Sequence, residues 1–154
     1  MSKHITISPT EAADRLAVRE LVEAYAHCAD CRDAKGQMSW FTAETHFVVF
    51  MNANDSKPSL ELHARDELAP VLADLNKYDA TTHFVGQSKI FSLTDDRAIG
   101  ETYCLAHHIT VAEGKHHLMI ASLRYLNTIV KQDGDWLFEE RRLYVDWAEE
   151  RAIS

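Results

Sequence analysis

Three clusters in this chain carry side chains able to do chemistry. Arg141-Arg142 lies in a β-type run, Trp136–Trp147. Strand neighbours face opposite sides, so one arginine should point into the fold and one out. An inward guanidinium could hold an enolate, a carboxylate or a leaving group. It could equally pair with Glu139, Glu140 or Asp146, and alternation alone does not choose between the two arginines. His107-His108 and His116-His117 flank a turn at Val111–Gly114. A cross-strand histidine pair can bind zinc, but no carboxylate or cysteine completes this one. No metal is therefore expected, and an exposed polar hairpin is the simpler reading. Cys28-Ala29-Asp30-Cys31 has the C-x-x-C spacing. A redox role needs that motif at a helix N-terminus, where the dipole lowers the thiol pKa. Here it falls near a helix C-terminus, and a zinc site would need a second ligand pair. No G-x-G-x-x-G, P-loop or G-x-S-x-G is present, so nucleotide binding and serine hydrolysis lack support.

The composition narrows the class. With 154 residues, 46% of them apolar, the chain fits one domain, 1–154, with a sizeable core. A net charge of −8 argues against nucleic acid or an anionic membrane as partner. No apolar run approaches the roughly 20 residues that span a bilayer. The start, MSKHITISPTEAADRLAV, has no apolar stretch of the secretory type. Three cysteines give no disulfide framework. A soluble cytoplasmic protein is expected.

The elements that must position these residues follow from periodicity. Residues 1–9 read as a short arm. Ser8 or Thr10 caps a helix over Thr10–Ala29, with Leu16, Val18, Leu21, Val22, Tyr25 and Ala29 at helical spacing. A short helix follows over Ala34–Phe41. Thr45–Met51 is a β-rich run with a return strand near Ser59–His63. Ala64–Lys77 is helical in pattern, with a kink or late start at Pro70. Four long strands end the chain: Thr81–Thr94, Arg97–Val111, Leu118–Val130 and Trp136–Trp147. The last two flank Asp133-Gly134, a strong hairpin signal because glycine accepts positive φ. This order predicts an α+β fold: a cone-shaped, curved, mixed but mostly antiparallel sheet covered by three helices, an α+β barrel that encloses a pocket.

From about Asp14 to Trp147 the chain resembles the SnoaL-like branch of the nuclear transport factor 2-like superfamily. The segments that carry the resemblance are DRLAVRELVEAYAHCADCRD, Thr82-His83-Phe84 and LRYLNTIVKQDGDWLFEERRLYVDW. The pattern is similar to dehydratase-type members such as scytalone dehydratase, bile-acid 7α-dehydratase and a dehydrochlorinase of hexachlorocyclohexane. The resemblance implies that Asp30 is the pocket aspartate, His83 the catalytic histidine, Arg141 the pocket arginine and Tyr25 the pocket tyrosine. A second pocket aspartate of the bile-acid enzyme has no counterpart; that region reads Leu105-Ala106-His107-His108, closer to the second histidine of scytalone dehydratase.

An elimination across a Cα–Cβ bond needs a base for a weakly acidic C–H and an acid for the leaving hydroxyl. Histidine suits either task, and an aspartate on one ring nitrogen fixes the tautomer. The resemblance therefore implies a cofactor-independent lyase, a dehydratase of a small cyclic or polycyclic hydrophobic substrate. Trp40, Phe84, Tyr103, Leu105, His107, Leu123 and Tyr125 are candidate wall residues; His107 or His108, whichever faces inward, is the second histidine. Alternatives on the same scaffold are an isomerase or polyketide cyclase, and a non-catalytic binding module like a dioxygenase β-subunit. Apolar residues on both faces of the last strands, such as Leu143 and Tyr144, point to a homodimer or homotrimer.

Overall fold

A computed structural model describes residues 7–154. The first six residues of the expected arm lie outside the described residues. Helix α1 spans Pro9–Asp30. The Ser8 side chain accepts from the Glu11 N–H at 3.1 Å, and Pro9 sits in the first turn, where no N–H is needed. Val18, Leu21, Val22, Tyr25, Ala26 and Ala29 form the buried stripe. Leu16, expected on that stripe, is 59% exposed. It stands two residues from Val18, about 200° around the helix.

Helix α2 is shorter than expected, Ala34–Ser39, with the Asp33 carboxylate accepting from the Gly36 N–H at 2.8 Å. Phe41 belongs instead to strand β1 (Phe41–Phe50), where it is fully buried opposite Phe138. After β2 (Leu60–Leu62), the expected helix Ala64–Lys77 is divided. A 3₁₀ turn (Arg65–Leu68) leads into α3 (Ala69–Ala73), and a second 3₁₀ turn (Asp74–Lys77) leads out. Pro70 is the reason: it has no N–H for a helix interior and so fits only a first turn.

Four long strands complete the chain: β3 (Ala80–Leu93), β4 (Arg97–Ala112), β5 (Lys115–Gln132) and β6 (Asp135–Ile153). The sheet order is β2-β1-β6-β5-β4-β3, antiparallel except for β1 beside β6. The fold is thus the α+β cone that the sequence predicts. Asp133 and Gly134 take φ of 52° and 92°, the two left-handed residues of a two-residue hairpin turn. β6 runs past the expected end at Trp147 because its tail continues to pair, Ile153 opposite His116. Register shifts in β3–β4, β5–β6 and β1–β6 are the irregularities that bend such long strands into a cone.

The helices cover the inner face of the sheet. The core there gathers Val18, Leu21, Val22 and Tyr25 of α1 with Phe41, Phe47, Ile129, Trp136 and Phe138 of the strands. Trp40 packs partly buried against this core rather than standing in a cavity. No helix among the described residues is long and apolar enough to cross a membrane.

Candidate active site

Asp30 is the last residue of α1, so its position is set by where that helix stops. The stop is made by Arg32, whose φ of 60° turns the chain out of the helix. The Arg32 guanidinium donates to the Ala29 carbonyl at 3.0 Å, to Thr81 Oγ1 at 2.6 Å and to the Tyr78 carbonyl at 3.3 Å. These bonds tie the helix end to the start of β3. Asp30 then reaches across. Its Oδ1 lies 2.7 Å from His83 Nδ1 and accepts from Thr81 Oγ1 at 2.9 Å, and its Oδ2 accepts from the His83 N–H at 2.8 Å.

Burial would raise the Asp30 carboxyl, but the bonds from the His83 ring, the His83 N–H and Thr81 outweigh it. The net effect holds Asp30 below the usual carboxylate range. It is therefore an acceptor only. In neutral His83 the proton must sit on Nδ1, which leaves Nε2 as the free basic nitrogen. The imidazole is 8% exposed.

Arg141 lies deeper, 1% exposed. Its Cζ stands 3.8 Å from the ring centre of Tyr125, 4.2 Å from that of Tyr25 and 4.3 Å from that of Phe138. One donor reaches Asn127 Oδ1 at 2.9 Å, while Nε has no partner among the described residues. The guanidinium stays charged in any surroundings. Burial pushes the Tyr25 and Tyr125 hydroxyls up, against the pull of Arg141, so both remain protonated donors. Burial likewise pushes the Cys104 thiol up to about 11, so it is no nucleophile.

His83, Tyr25, Tyr125, Cys104, Thr102 and Arg141 border one cavity between α1 and the sheet, of about 10 Å³. That is room for about one water, far less than the expected pocket. A wider recess of about 240 Å³ opens on the inner face beside it, lined by Tyr78, His108, Thr110, His117, Met119 and Glu150. The His108 ring connects the two, 4.3 Å from the Tyr78 ring and 5.4 Å from the His83 ring. Burial, with the nearby His83 and Arg32, lowers its pKa to about 4.

The structure thus brings Asp30, His83, Arg141 and Tyr25 to one place, with Leu123 and Tyr125 on the same inner face. Phe84, Tyr103, Leu105 and His107 are corrected: they point to the outer face. Strand alternation is the reason. His83 pairs with Ala106 facing in, so Phe84 pairs with Leu105 and Thr82 with His107 facing out. His108 is the inward histidine of its pair. The histidine pairs also do not meet across the β4–β5 turn; register sets His117 opposite Thr110 and His108 opposite Met119. A broad recess of about 440 Å³ does lie on the outer face, lined by Ala80, Thr82, Phe84, His107, Ile109 and Leu118 among others. Among the described residues, the hydrogen-bonded acid–base pair Asp30–His83 borders the smaller inner cavity and not this recess. Thr81, Arg32 and Asn127 were not foreseen. The two-residue spacing of Thr81 and His83 in β3, which puts both on one strand face, is the one signal that could have placed Thr81 beside His83.

The chain belongs to the SnoaL-like domain family of the nuclear transport factor 2-like superfamily: the family model matches residues 10–142. No curated protein sequence matches it. Among solved structures it is similar to a candidate scytalone dehydratase from Novosphingobium aromaticivorans, with 19% identity and a TM-score of 0.79 over 96% of this chain and 94% of that one. A type 2 hexachlorocyclohexane dehydrochlorinase gives 16% identity and a TM-score of 0.71 over 94% and 92%. The β-subunit of a candidate aromatic-ring-hydroxylating dioxygenase from N. aromaticivorans gives 17% and 0.72 over 89% and 92%. Likeness at these identities establishes the shared fold.

Proposed function

We propose that the protein is a cofactor-independent lyase, a dehydratase of a small cyclic or polycyclic hydrophobic substrate. The observation that carries this reading is the hydrogen-bonded Asp30–His83 pair, its Nε2 without a partner among the described residues, bordering the same cavity as a buried arginine that forms no ion pair among them. His83 Nε2 takes a proton from carbon next to a carbonyl. Asp30 stabilises the imidazolium that forms. The electron pair moves onto the carbonyl oxygen, where Arg141 and the Tyr25 hydroxyl stabilise the enolate. The enolate then re-forms the carbonyl and expels the neighbouring hydroxyl, which takes the same proton from His83 and leaves as water. A double bond remains, and the enzyme returns to its starting state.

A ring-sized substrate exceeds the inner cavity, so binding requires inner-face side chains to move. Met119, in the adjoining recess, has the flexible thioether chain for that. The likeness to dehydratase and dehydrochlorinase structures supports the class, and the solitary His–Asp pair supports base-initiated elimination over nucleophilic catalysis. Incubation with a panel of cyclic β-hydroxy ketones, read by mass spectrometry, tests it. The expected product is lighter by one water. A product of unchanged mass assigns the site to an isomerase or cyclase, and no turnover across the panel with tight binding assigns it to a binding module.

A further inference from the structure

A second cluster of chemistry-bearing side chains stands on the outer face, at the β2 edge of the sheet. β1 and β2 pair with Phe47 opposite Leu62, so the same register sets His46 opposite His63. Glu61 and His63 are two apart on one strand and share a face. The result is that His46 Nε2 lies 2.8 Å from Glu61 Oε1, and His63 Nε2 lies 3.9 Å from the same oxygen. The two imidazole rings are stacked with centres 4.8 Å apart and planes 9° from parallel. One donor atom from each of the three residues falls within 4.8 Å of the others.

The support behind this trio is as specific as the trio itself. His46 Nδ1 lies 2.6 Å from Glu140 Oε2 on β6. Glu140 in turn accepts from Arg142 Nε at 2.9 Å and from its terminal nitrogen at 3.1 Å. A histidine whose far nitrogen donates to a carboxylate presents its other nitrogen as a fixed, electron-rich ligand; this is the usual backing of a metal-bound histidine. His63 is steadied differently: its backbone N–H donates to Glu67 at 2.8 Å while its side chain is 71% exposed.

We propose that His46, Glu61 and His63 form a binding site for a zinc-class divalent cation, with Glu140 and Arg142 positioning His46. Two imidazoles and one carboxylate are a recognised ligand set for Zn²⁺ that leaves one position open. Ligand atoms about 2.0–2.1 Å from one tetrahedral ion stand roughly 3.4 Å apart. His46 Nε2 and Glu61 Oε1, hydrogen-bonded at 2.8 Å, would part by roughly half an ångström to reach that separation, and the exposed His63 side chain has the freedom to turn in from its stacked position. The occupied site would clamp the short edge strand β2 to β1 and, through Glu140, to β6.

The test is calorimetric titration of Zn²⁺ into the tag-free, chelator-treated full chain. The expected result is one equivalent bound in the micromolar range or tighter. His63→Ala and Glu61→Gln should each weaken binding at least tenfold, by loss of a ligand. Glu140→Gln, which touches no metal, should weaken it by about 10–100-fold. Circular dichroism of His63→Ala should match wild type, since that side chain is exposed, so a failure to bind is not a failure to fold. Co²⁺ substitution should give visible absorption of a four-coordinate site in wild type and not in His63→Ala. Absence of saturable binding would overturn the proposal. So would binding that survives His63→Ala and Glu61→Gln, or binding lost in a His116→Ala/His117→Ala control.

Discussion

Arg141 and Arg142 are adjacent in the chain and meet opposite surroundings. Arg142 faces out and pairs with Glu140 at 2.9 Å. The sheet's other arginines behave alike: Arg97 meets Glu139 at 2.7 Å and Arg124 meets Asp146 at 3.1 Å. Arg141 faces in, forms no ion pair among the described residues, and is held by three rings and one amide oxygen. The outer face neutralises its charges within the sheet. The inner face leaves the Arg141 guanidinium without an ion pair among the described residues, on the same cavity as His83. A buried charge is expensive unless compensated, and this difference is what supports the proposal that the inner face takes an anionic or enolate-bearing ligand.

The largest effect expected is on turnover. Once a substrate is found, His83→Ala and Asp30→Asn should each lower kcat by about 10²–10⁴-fold. The double variant should lose far less than the product of the two, because the residues act as a unit. Steady-state kinetics decide it; full activity in His83→Ala would end the dehydratase reading.

The second effect concerns acid. His108 takes up its proton near pH 6.5 when unfolded and only at about 4 when folded. Between those values the unfolded chain binds more protons, so stability falls as pH drops through that window and the effect vanishes above it. Discounted for partial exposure, it amounts to about 1–2 kcal/mol. Urea unfolding from pH 7 to 4 should show this loss in wild type and a flatter profile in His108→Leu.

A smaller effect sharpens the arginine contrast directly. Arg141→Met keeps a flexible stem and removes an unpaired charge, so the ligand-free protein should gain on the order of 1 kcal/mol. Arg142→Met removes a half-exposed pair and should lose less than about 1 kcal/mol. A loss above about 2 kcal/mol in Arg141→Met would mean that the aromatic cage itself makes the guanidinium stabilising.

The smallest change expected is in assembly. Phe84, Leu105 and Trp147 leave the outer face apolar at 65%, 38% and 53% exposure. We expect one or two further copies of the chain to cover them, so light scattering should give two to three times the chain mass, and Phe84→Lys should return it to 17.5 kDa.

Much of this was legible in the sequence because it is local. The α1 stripe repeats every turn, and Asp133-Gly134 dictates its own hairpin. The partnership of Asp30 and His83 came only by resemblance, since 53 residues separate them in the chain. What failed was facing. Phe84 follows His83 directly, so both cannot line one cavity, and Tyr103, Leu105 and His107 share the sheet face of Phe84. The register that settles this is broken between Val85 and Ser88, where Gly86 is the local hint of a bulge, and again between Ile90 and Ser92, where no glycine marks it. The size of the cavity was illegible too, because it depends on how Tyr25, Tyr125 and Arg141 close over one another.

The lone parallel pairing in the sheet has a kinetic consequence. β3 through β6 are joined by short turns, so they can zip together from nearby contacts. β1 must find β6 across a span such as His46 to Glu140, 94 residues apart. Closing so long a loop is entropically unfavourable until other contacts reward it. Strand β1 should therefore dock after the barrier. Val49→Ala should speed unfolding and leave the folding rate nearly unchanged, whereas truncations flanking Asp133-Gly134 should slow folding. Stopped-flow rates with the reverse pattern would show that the closure across the chain comes first.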